Sequence, residues 1–316
     1  MIPERAMGAD AGSEFQAFSV GEEARSRIGP SGQVHSTYEE ALNIVFPKGI
    51  VSVVTRSKGR GPLNIVLAAA HADLSGIADG GTGVRFKRDF LSIDGKARVA
   101  LKGAELYKSP QRFQRRPLRR DLIHRNMMKA QGLIVSTGRM DGLGHLVPIT
   151  TPVRHAGPVS NPFVAQARPT MLLFMQMFSK GNMAGALGAA KDLIGLGIGL
   201  TPSGDDVLSG LLVALVLGSK NGITRSPIIG GLAERVAQAA VGRTTLLSQN
   251  YLQMASQGKA NEAVVQFVEE IYTGNSGGVR RSLADLIGFG ATSGTDIAAG
   301  VGLGVTLALG YEVGPA

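Results

Sequence analysis

Cysteine and tryptophan are both missing from this 316-residue chain, and aromatic residues make up only 5% of it. Without cysteine there is no disulfide, no thiolate metal site and no thiol nucleophile. The five histidines are scattered, none at a metal-ligand spacing, which argues against zinc. Long hydrophobic runs are lacking too, because no segment reaches the roughly 18 uninterrupted apolar residues of a membrane helix. The start, Met1 to Ser19, carries Glu4, Arg5, Asp10 and Glu14 where a secretory signal needs an apolar run. A cytoplasmic protein without a membrane partner is therefore expected. Its chemistry must come from Asp, Glu, Ser, Thr, Arg, Lys or main-chain amides.

What is present is enough apolar material, 44% of residues, to bury a sizeable core, and a length that suits two domains. The formal net charge of +9 is concentrated. Lys108, Arg112, Arg115, Arg116, Arg119, Arg120, Arg125 and Lys129 face Asp121 alone within one segment. A solvated basic helix face, a docking surface for an acidic partner or anionic substrate, and a nucleic-acid surface are the three readings. Only Tyr107 and Phe113 lie near that segment, so stacking platforms for single strands are scarce and nucleic acid ranks last.

The pattern along the chain predicts an α+β protein, β-rich first and mainly helical afterwards. Residues 1–131 read as the β-rich domain, with short strands at Ile50 to Thr55, Asn64 to Ala69, Val84 to Phe86, Phe90 to Ile93 and Ala97 to Leu101. Asp94-Gly95 predicts a two-residue hairpin turn, since Asp-Gly tolerates positive φ. Tyr38 and Leu42, four apart, suggest a short helix over Thr37 to Asn43. A basic helix, Leu118 to Gln131, ends this part. A Gly/Pro-rich connection is expected over residues 132–169, with Gly157-Pro158 and Asn161-Pro162. Residues 170–316 then read as helices at Thr170 to Ser179, Met183 to Leu193, Gly204 to Leu217, Ile228 to Val241, Thr244 to Ser256, Asn261 to Ile271, Arg280 to Ile287 and Gly294 to Leu309. Val207 to Leu217 and Ile297 to Leu309 are apolar on nearly every side, which places both helices inside the domain.

Two related loops lead into those interior helices. The first is Leu193-Ile194-Gly195-Leu196-Gly197-Ile198-Gly199-Leu200-Thr201-Pro202-Ser203-Gly204-Asp205-Asp206. A shorter one, Leu286-Ile287-Gly288-Phe289-Gly290-Ala291-Thr292-Ser293-Gly294-Thr295-Asp296, keeps the order of glycines, Thr, Ser-Gly and Asp. Capping boxes account for part of this, with Ser203 and Ser293 as N-caps and Asp206 and Asp296 three residues on. They do not account for Gly195, Gly197 and Gly199, which are useful where φ is positive or another group approaches the backbone. Hydroxyls and free amides at a buried helix start favour an anion. No Walker lysine follows the glycines, and no clear strand precedes them. The adjacent Asp205 and Asp206 would repel an anion unless one caps the helix and the other meets a substrate donor or a metal, and magnesium bridging a carboxylate and a phosphate is one way to reconcile the charges. A third cluster, Arg243-Thr244-Thr245 with Ser248 and Asn250, is either a helix start or a guanidinium grip on a carboxylate or phosphate. Gly61-Pro62-Leu63-Asn64 reads as a turn into a strand.

Together with Val34-His35-Ser36, Ala41-Leu42-Asn43-Ile44 and Gly61-Pro62-Leu63-Asn64-Ile65, these loops and Arg243-Thr244-Thr245 resemble the family that includes the AllH subunit of bacterial oxamate carbamoyltransferase. The likeness runs from about Val34 to Ala308, and Gly-Leu-Thr-Pro-Ser-Gly-Asp-Asp, residues 199–206, is its most specific string. It implies one of three unlike subunits that convert oxalurate and phosphate to oxamate and carbamoyl phosphate in anaerobic allantoin breakdown. An aromatic residue is expected where Thr295 stands.

The expected site thus comprises Gly199, Thr201, Ser203, Gly204, Thr292, Ser293, Gly294, Asp296, Arg243, Thr244 and Thr245 around a small anionic substrate. The amides of residues 203–206 and 293–296 are expected to donate to it, and Asp205 or Asp206 to be the proton or metal partner. The partners expected are that substrate and other enzyme subunits. The alternatives are a non-catalytic ligand-binding or scaffolding subunit, and a nucleic-acid-binding protein.

Overall fold

The computed structural model describes residues 13–150 and 161–311, so Glu4, Arg5, Asp10 and the Gly157-Pro158 pair lie outside the described residues. The chain divides into two compact units, residues 1–108 and 109–316. The first is β-rich and the second mainly helical, as the sequence pattern predicts. The division falls upstream of the connection expected at 132–169, and the basic helix belongs to the helical unit.

In the first unit, β1 (Ser13–Gly21) is followed by the short helix α1 (Glu22–Arg27), then β2 (Ser31–Tyr38), β3 (Ala41–Phe46), β4 (Gly49–Val54), β5 (Asn64–Leu67), β6 (Gly83–Lys87), β7 (Phe90–Ile93), β8 (Ala97–Ala100) and β9 (Glu105–Tyr107). The strand order is β5-β4-β3-β2-β6-β7-β8-β1, and β1 pairs back onto β5, so eight strands of mixed direction close a barrel. Closure removes the free edges that would otherwise invite aggregation. Strand β1 serves three partners, β8 and then β9 along its length and β5 opposite its second half. Ser13 to Gln16 pair with β8, Ala17 to Val20 with β5, and Ser19 to Gly21 with β9. The interior is apolar, with Val34, Leu42, Ile44, Val53, Ile65, Leu91 and Val99 in one buried cluster.

The helix expected over Thr37 to Asn43 is instead the turn of a β2–β3 hairpin, with Tyr38 paired to Ala41. A spacing of four satisfies a period of two as well as one of 3.6, and the buried Leu42 and Ile44 follow the strand period. The Asp94-Gly95 turn is one residue longer than expected, because Ile93 pairs with Ala97. Gly95 takes the positive φ of 72°.

The second unit comprises α2 (Arg120–Thr137), α3 (Pro162–Ser179), α4 (Met183–Leu193), α5 (Ser203–Lys220), α6 (Ile228–Ala239), α7 (Leu246–Ser256), α8 (Glu262–Thr273), α9 (Ser276–Ile287) and α10 (Ser293–Ala308). A 3-10 segment, Gly144–Thr150, follows α2. Helix α3 starts earlier than expected, capped by the Asn161 side chain on the Phe163 N–H, and it carries Pro169 inside. That proline is what placed the start at Thr170 in the sequence. No helix among the described residues is long and apolar enough to cross a membrane.

Helices α5 and α10 form the centre, buried along almost their whole length. They run side by side in the same direction, because glycines allow their backbones to meet. A Cβ on Gly210 would overlap the Ile297 carbonyl oxygen, and one on Gly300 would overlap that of Val207. Further along, Gly304 lies against Leu211 and Ala214. Two parallel helices in contact bring both positive dipole ends to one place.

The basic segment is largely engaged within this unit. Arg112 donates to the Lys220 carbonyl, Arg115 pairs with Glu270 at 2.6 Å, and Arg120 donates to the Leu309 carbonyl. Arg119 and Arg125 share Asp121 at 3.3 and 3.7 Å. Arg112, Arg115 and Arg120 thus tie to helix ends and neighbouring helices, while Arg119 and Arg125 pair at the exposed start of α2.

Candidate functional site

Both glycine loops fold by the same rule. In the first, the Leu196 N–H reaches back to the Leu193 carbonyl at 3.1 Å and the Gly204 N–H to the Leu196 carbonyl at 2.8 Å. In the second, Phe289 bonds to Leu286 and Gly294 to Phe289, each at 3.1 Å. Gly204 crosses over the Leu193 carbonyl and Gly294 over that of Leu286, each so closely that a side chain would collide. Gly195, Gly197 and Gly199 have φ of 77°, 122° and 93°, the left-handed region that L side chains avoid. Gly195 also presses against the Arg243 carbonyl oxygen, while Gly199 is exposed and faces open space.

The capping boxes expected from sequence are not formed. Pro202 and Thr292 are the N-caps and neither makes a side-chain capping bond, so Ser203 and Ser293 are the first helical residues. Their hydroxyls cross to the other helix, that of Ser203 to Asp296 and that of Ser293 to Asp206. Thr201 Oγ1 and Ser293 Oγ complete the crossing at 3.0 Å. Loops far apart in sequence thereby share one seam, and Thr201, Ser203, Thr292 and Ser293 are only half-buried there.

The expected cradle of free amides is also largely absent. The N–H groups of Gly204, Asp205, Asp206, Gly294 and Asp296 already bond to carbonyls of their own loops. A tight crossing satisfies the helix starts from within, because each loop folds back over its own helix. Charge at the seam is therefore governed by side chains.

Three carboxyls lie at these helix starts, and burial raises the pKa of each. Asp205 is braced on both oxygens, by the Gly195 N–H at 2.9 Å and by the Thr244 hydroxyl. These bonds, with one from Ser248, oppose the upward push of burial. Asp206, 4% exposed, is pushed well above the ordinary carboxylate range by burial and by the neighbouring Asp296 and Asp205, against hydrogen bonding from Ser293 and Thr201. Its Oδ2 is buried without a partner. Asp296, fully buried, is raised to about 6 by desolvation, against bonds from Ser203, Thr292 and the Leu143 and Gly144 amides. The Leu143 N–H reaches its Oδ1 at 2.6 Å, while its Oδ2 also lacks a partner. Among the described residues no group of three or more His, Asp or Glu side chains comes together to hold a metal ion.

Arg243, Thr244 and Thr245 lie against the first loop. Thr245 caps α7 through the Ser248 N–H at 3.1 Å and donates to the Leu200 carbonyl at 2.5 Å. The Arg243 side chain is exposed, and among the described residues its guanidinium has no partner.

The sequence reading missed the segment that holds the second loop. Just past α2, the Arg139 N–H donates to Thr295 Oγ1 at 2.9 Å, and its Nη1 donates to the Gly290 and Ala291 carbonyls at 3.1 and 3.2 Å. Gly138 and Gly144 pack against the Thr295 methyl, and Gly142 against the Asp296 carboxylate. Thr295 is fully buried in this contact, which leaves no room for the aromatic side chain expected there. The available signal was the repeated dipeptide Gly138-Arg139 and Gly242-Arg243, each placed just after a helix.

No solved structure matches the chain. Residues 13–106, which hold the barrel, match the family described as the AllH family N-terminal domain. Residues 193–305, which hold both glycine loops and both central helices, match the one described as oxamate carbamoyltransferase subunit AllH. The two matches span most of the chain, and on them the protein belongs to the AllH family, a subunit family of oxamate carbamoyltransferase.

Proposed function

We propose that the seam where α5 and α10 begin is the place at which this chain, with partner subunits, handles the small anionic substrates of a carbamoyl transfer: oxamate or oxalurate, with carbamoyl phosphate or phosphate. The observation that carries the reading is Asp206, whose buried Oδ2 has no partner although hydroxyls from both loops surround the carboxyl. An orphaned buried polar atom costs roughly 1–3 kcal/mol, and a ligand amide N–H would supply the missing bond.

Thr201, Ser203, Thr292 and Ser293 orient the ligand from the half-buried rim. Arg243 takes its carboxylate or phosphate, with hydrogen bonds strengthened by charge. Asp205 is a positioning residue, since both its oxygens brace the loop. Asp206, whose pKa burial raises, is the proton donor. When a phosphate oxygen attacks the carbamoyl carbon of oxalurate, the carbon–nitrogen bond breaks, the departing oxamate nitrogen takes the Asp206 proton, and the proton given up by the attacking hydrogen phosphate returns to the Asp206 carboxylate. Carbamoyl phosphate and oxamate are the products. Few donors remain free at the helix starts, so partner subunits complete the electrostatic stabilisation of that step.

The test is phosphate-dependent formation of carbamoyl phosphate from oxalurate by the chain alone, with partner subunits added, and with Asp206→Asn. Turnover is expected only with partners, and Asp206→Asn is expected to lower it about 100-fold or more without lowering the melting temperature. Full turnover by Asp206→Asn contradicts the role given to this residue. Turnover that is absent with every partner, while the seam still binds anions, leaves a ligand-binding subunit in place of a catalytic one.

A further inference from the structure

The second unit carries a near two-fold repeat that reaches beyond the two loops. After α6 comes Gly242-Arg243, whose backbone lies against Gly195 and whose neighbour Thr244 bonds Asp205. After α2 comes Gly138-Arg139, whose N–H bonds Thr295, the residue standing where Asp205 stands in the first loop. Each glycine loop thus has its own Gly-Arg corner. The two corners lie 104 residues apart in sequence, and the loops they serve meet at Thr201 and Ser293, 3.0 Å apart.

The arginines differ in how they are held. The Arg243 guanidinium is exposed and has no protein partner among the described residues. Arg139 is exposed too, but its Nη1 is tied to the Gly290 and Ala291 carbonyls, which fixes the plane of the group. Its Nε and Nη2 hydrogens have no partner among the described residues. A guanidinium has five donors in a rigid fork, so one anchored edge leaves another edge aligned for a carboxylate or phosphate. At the start of α5, the buried and unpartnered Asp206 Oδ2 calls for a donor from a ligand.

We propose that the seam holds two small anions side by side, one in each half, with Arg243 gripping the anion at the first loop and Arg139 the anion at the second. The inference rests on the function proposed above and deepens it, because it makes the site a two-substrate site and names Arg139 as a binding residue for the second anion. One anion is a carboxylate carrying an amide, which satisfies Asp206 with its N–H. The other is a phosphate or acyl phosphate. Two rigid half-sites joined at one seam bring both reacting groups together, where proximity contributes most to a two-substrate transfer.

Calorimetry on the full chain with phosphate and with oxamate, each alone and in the presence of the other, tests this on the wild type, Arg243→Gln and Arg139→Gln. The wild type is expected to bind both at once. Each variant is expected to weaken one anion about tenfold or more and leave the other within about twofold, with opposite preferences in the two variants. Loss of the same anion in both variants, or competition between phosphate and oxamate in the wild type, overturns the two-anion site and leaves a single-anion seam intact. A wild type that binds neither refutes the seam itself. Because Arg139 also braces the second loop, Arg139→Lys is measured beside it. The lysine variant is expected to fold and to bind the same anion at intermediate strength, and wild-type affinity in it overturns the proposal.

Discussion

Thr201 Oγ1 and Ser293 Oγ stand 3.0 Å apart although 92 residues separate them along the chain. Their contact joins two glycine loops into one seam over two central helices, and it exists because those helices touch through glycine. Everything assigned to the seam depends on that approach.

The helix contact is therefore expected to be intolerant of added volume. Gly210→Ala and Gly300→Ala each put a methyl group onto a carbonyl of the opposite helix. Each is expected to lower stability by about 1–3 kcal/mol, and the double variant to depart from additivity because both substitutions part the same pair. Urea denaturation measures this. An unchanged midpoint in either single variant would show that the helices have room to separate.

Arg243→Ala is expected to separate binding from folding. Its guanidinium has no protein partner among the described residues, so the melting temperature is expected to stay within about 1 °C, a surface-sized effect. Affinity for the anion at the first loop is expected to fall about 10- to 100-fold, the worth of a charged hydrogen bond. Paired calorimetry and thermal melts check both halves. A drop in melting temperature with unaltered affinity would make Arg243 structural.

Much of this arrangement was legible in local sequence, and the remainder depended on contacts that sequence cannot place. Helix α4 was bounded correctly at Met183 and Leu193, because Asn182 caps one end and Gly195 follows the other. The interior position of α5 and α10 was visible in their unbroken apolarity. Ser203 and Ser293, by contrast, carry the pattern of a capping box yet serve carboxylates on the opposite helix. Strand β1 escaped notice because its partners β5, β8 and β9 are all distant in sequence. Arg139 lies inside the segment read as a Gly/Pro-rich connection, although Gly138-Arg139 matches Gly242-Arg243.

Buried carboxyls give the stability a defined pH dependence. Asp296 has a pKa of about 6 in the folded chain against an ordinary 3.8. Between those values the folded state keeps a proton that the unfolded state has lost, so this residue makes stability fall as pH rises through the window. Its contribution is present in full below pH 3.8 and lost above about pH 6, a difference of about 3 kcal/mol. The raised Asp206 adds a slope of the same sign. Chemical denaturation from pH 4 to 7 is expected to show a shallower decline for Asp296→Asn than for the wild type. Parallel profiles would mean that Asp296 titrates normally.

Thr245 holds two elements at once, the first turn of α7 and the Leu200 carbonyl of the first loop. Thr245→Ala is expected to cost about 0.5–2 kcal/mol, the range for a lost N-cap, and Thr245→Ser to recover most of it. Thermal melts of both variants decide, and an alanine variant as stable as the wild type would remove the hydroxyl from the loop's support.

The most direct measurement is a diffraction map of crystals soaked with oxamate and phosphate. The account predicts density at the seam, within hydrogen-bond distance of the Thr201 and Ser293 hydroxyls and of the Arg243 guanidinium, with an amide N–H on Asp206 Oδ2. Density confined to other surfaces, with the seam closed and Asp206 bonded only within the protein, would contradict it.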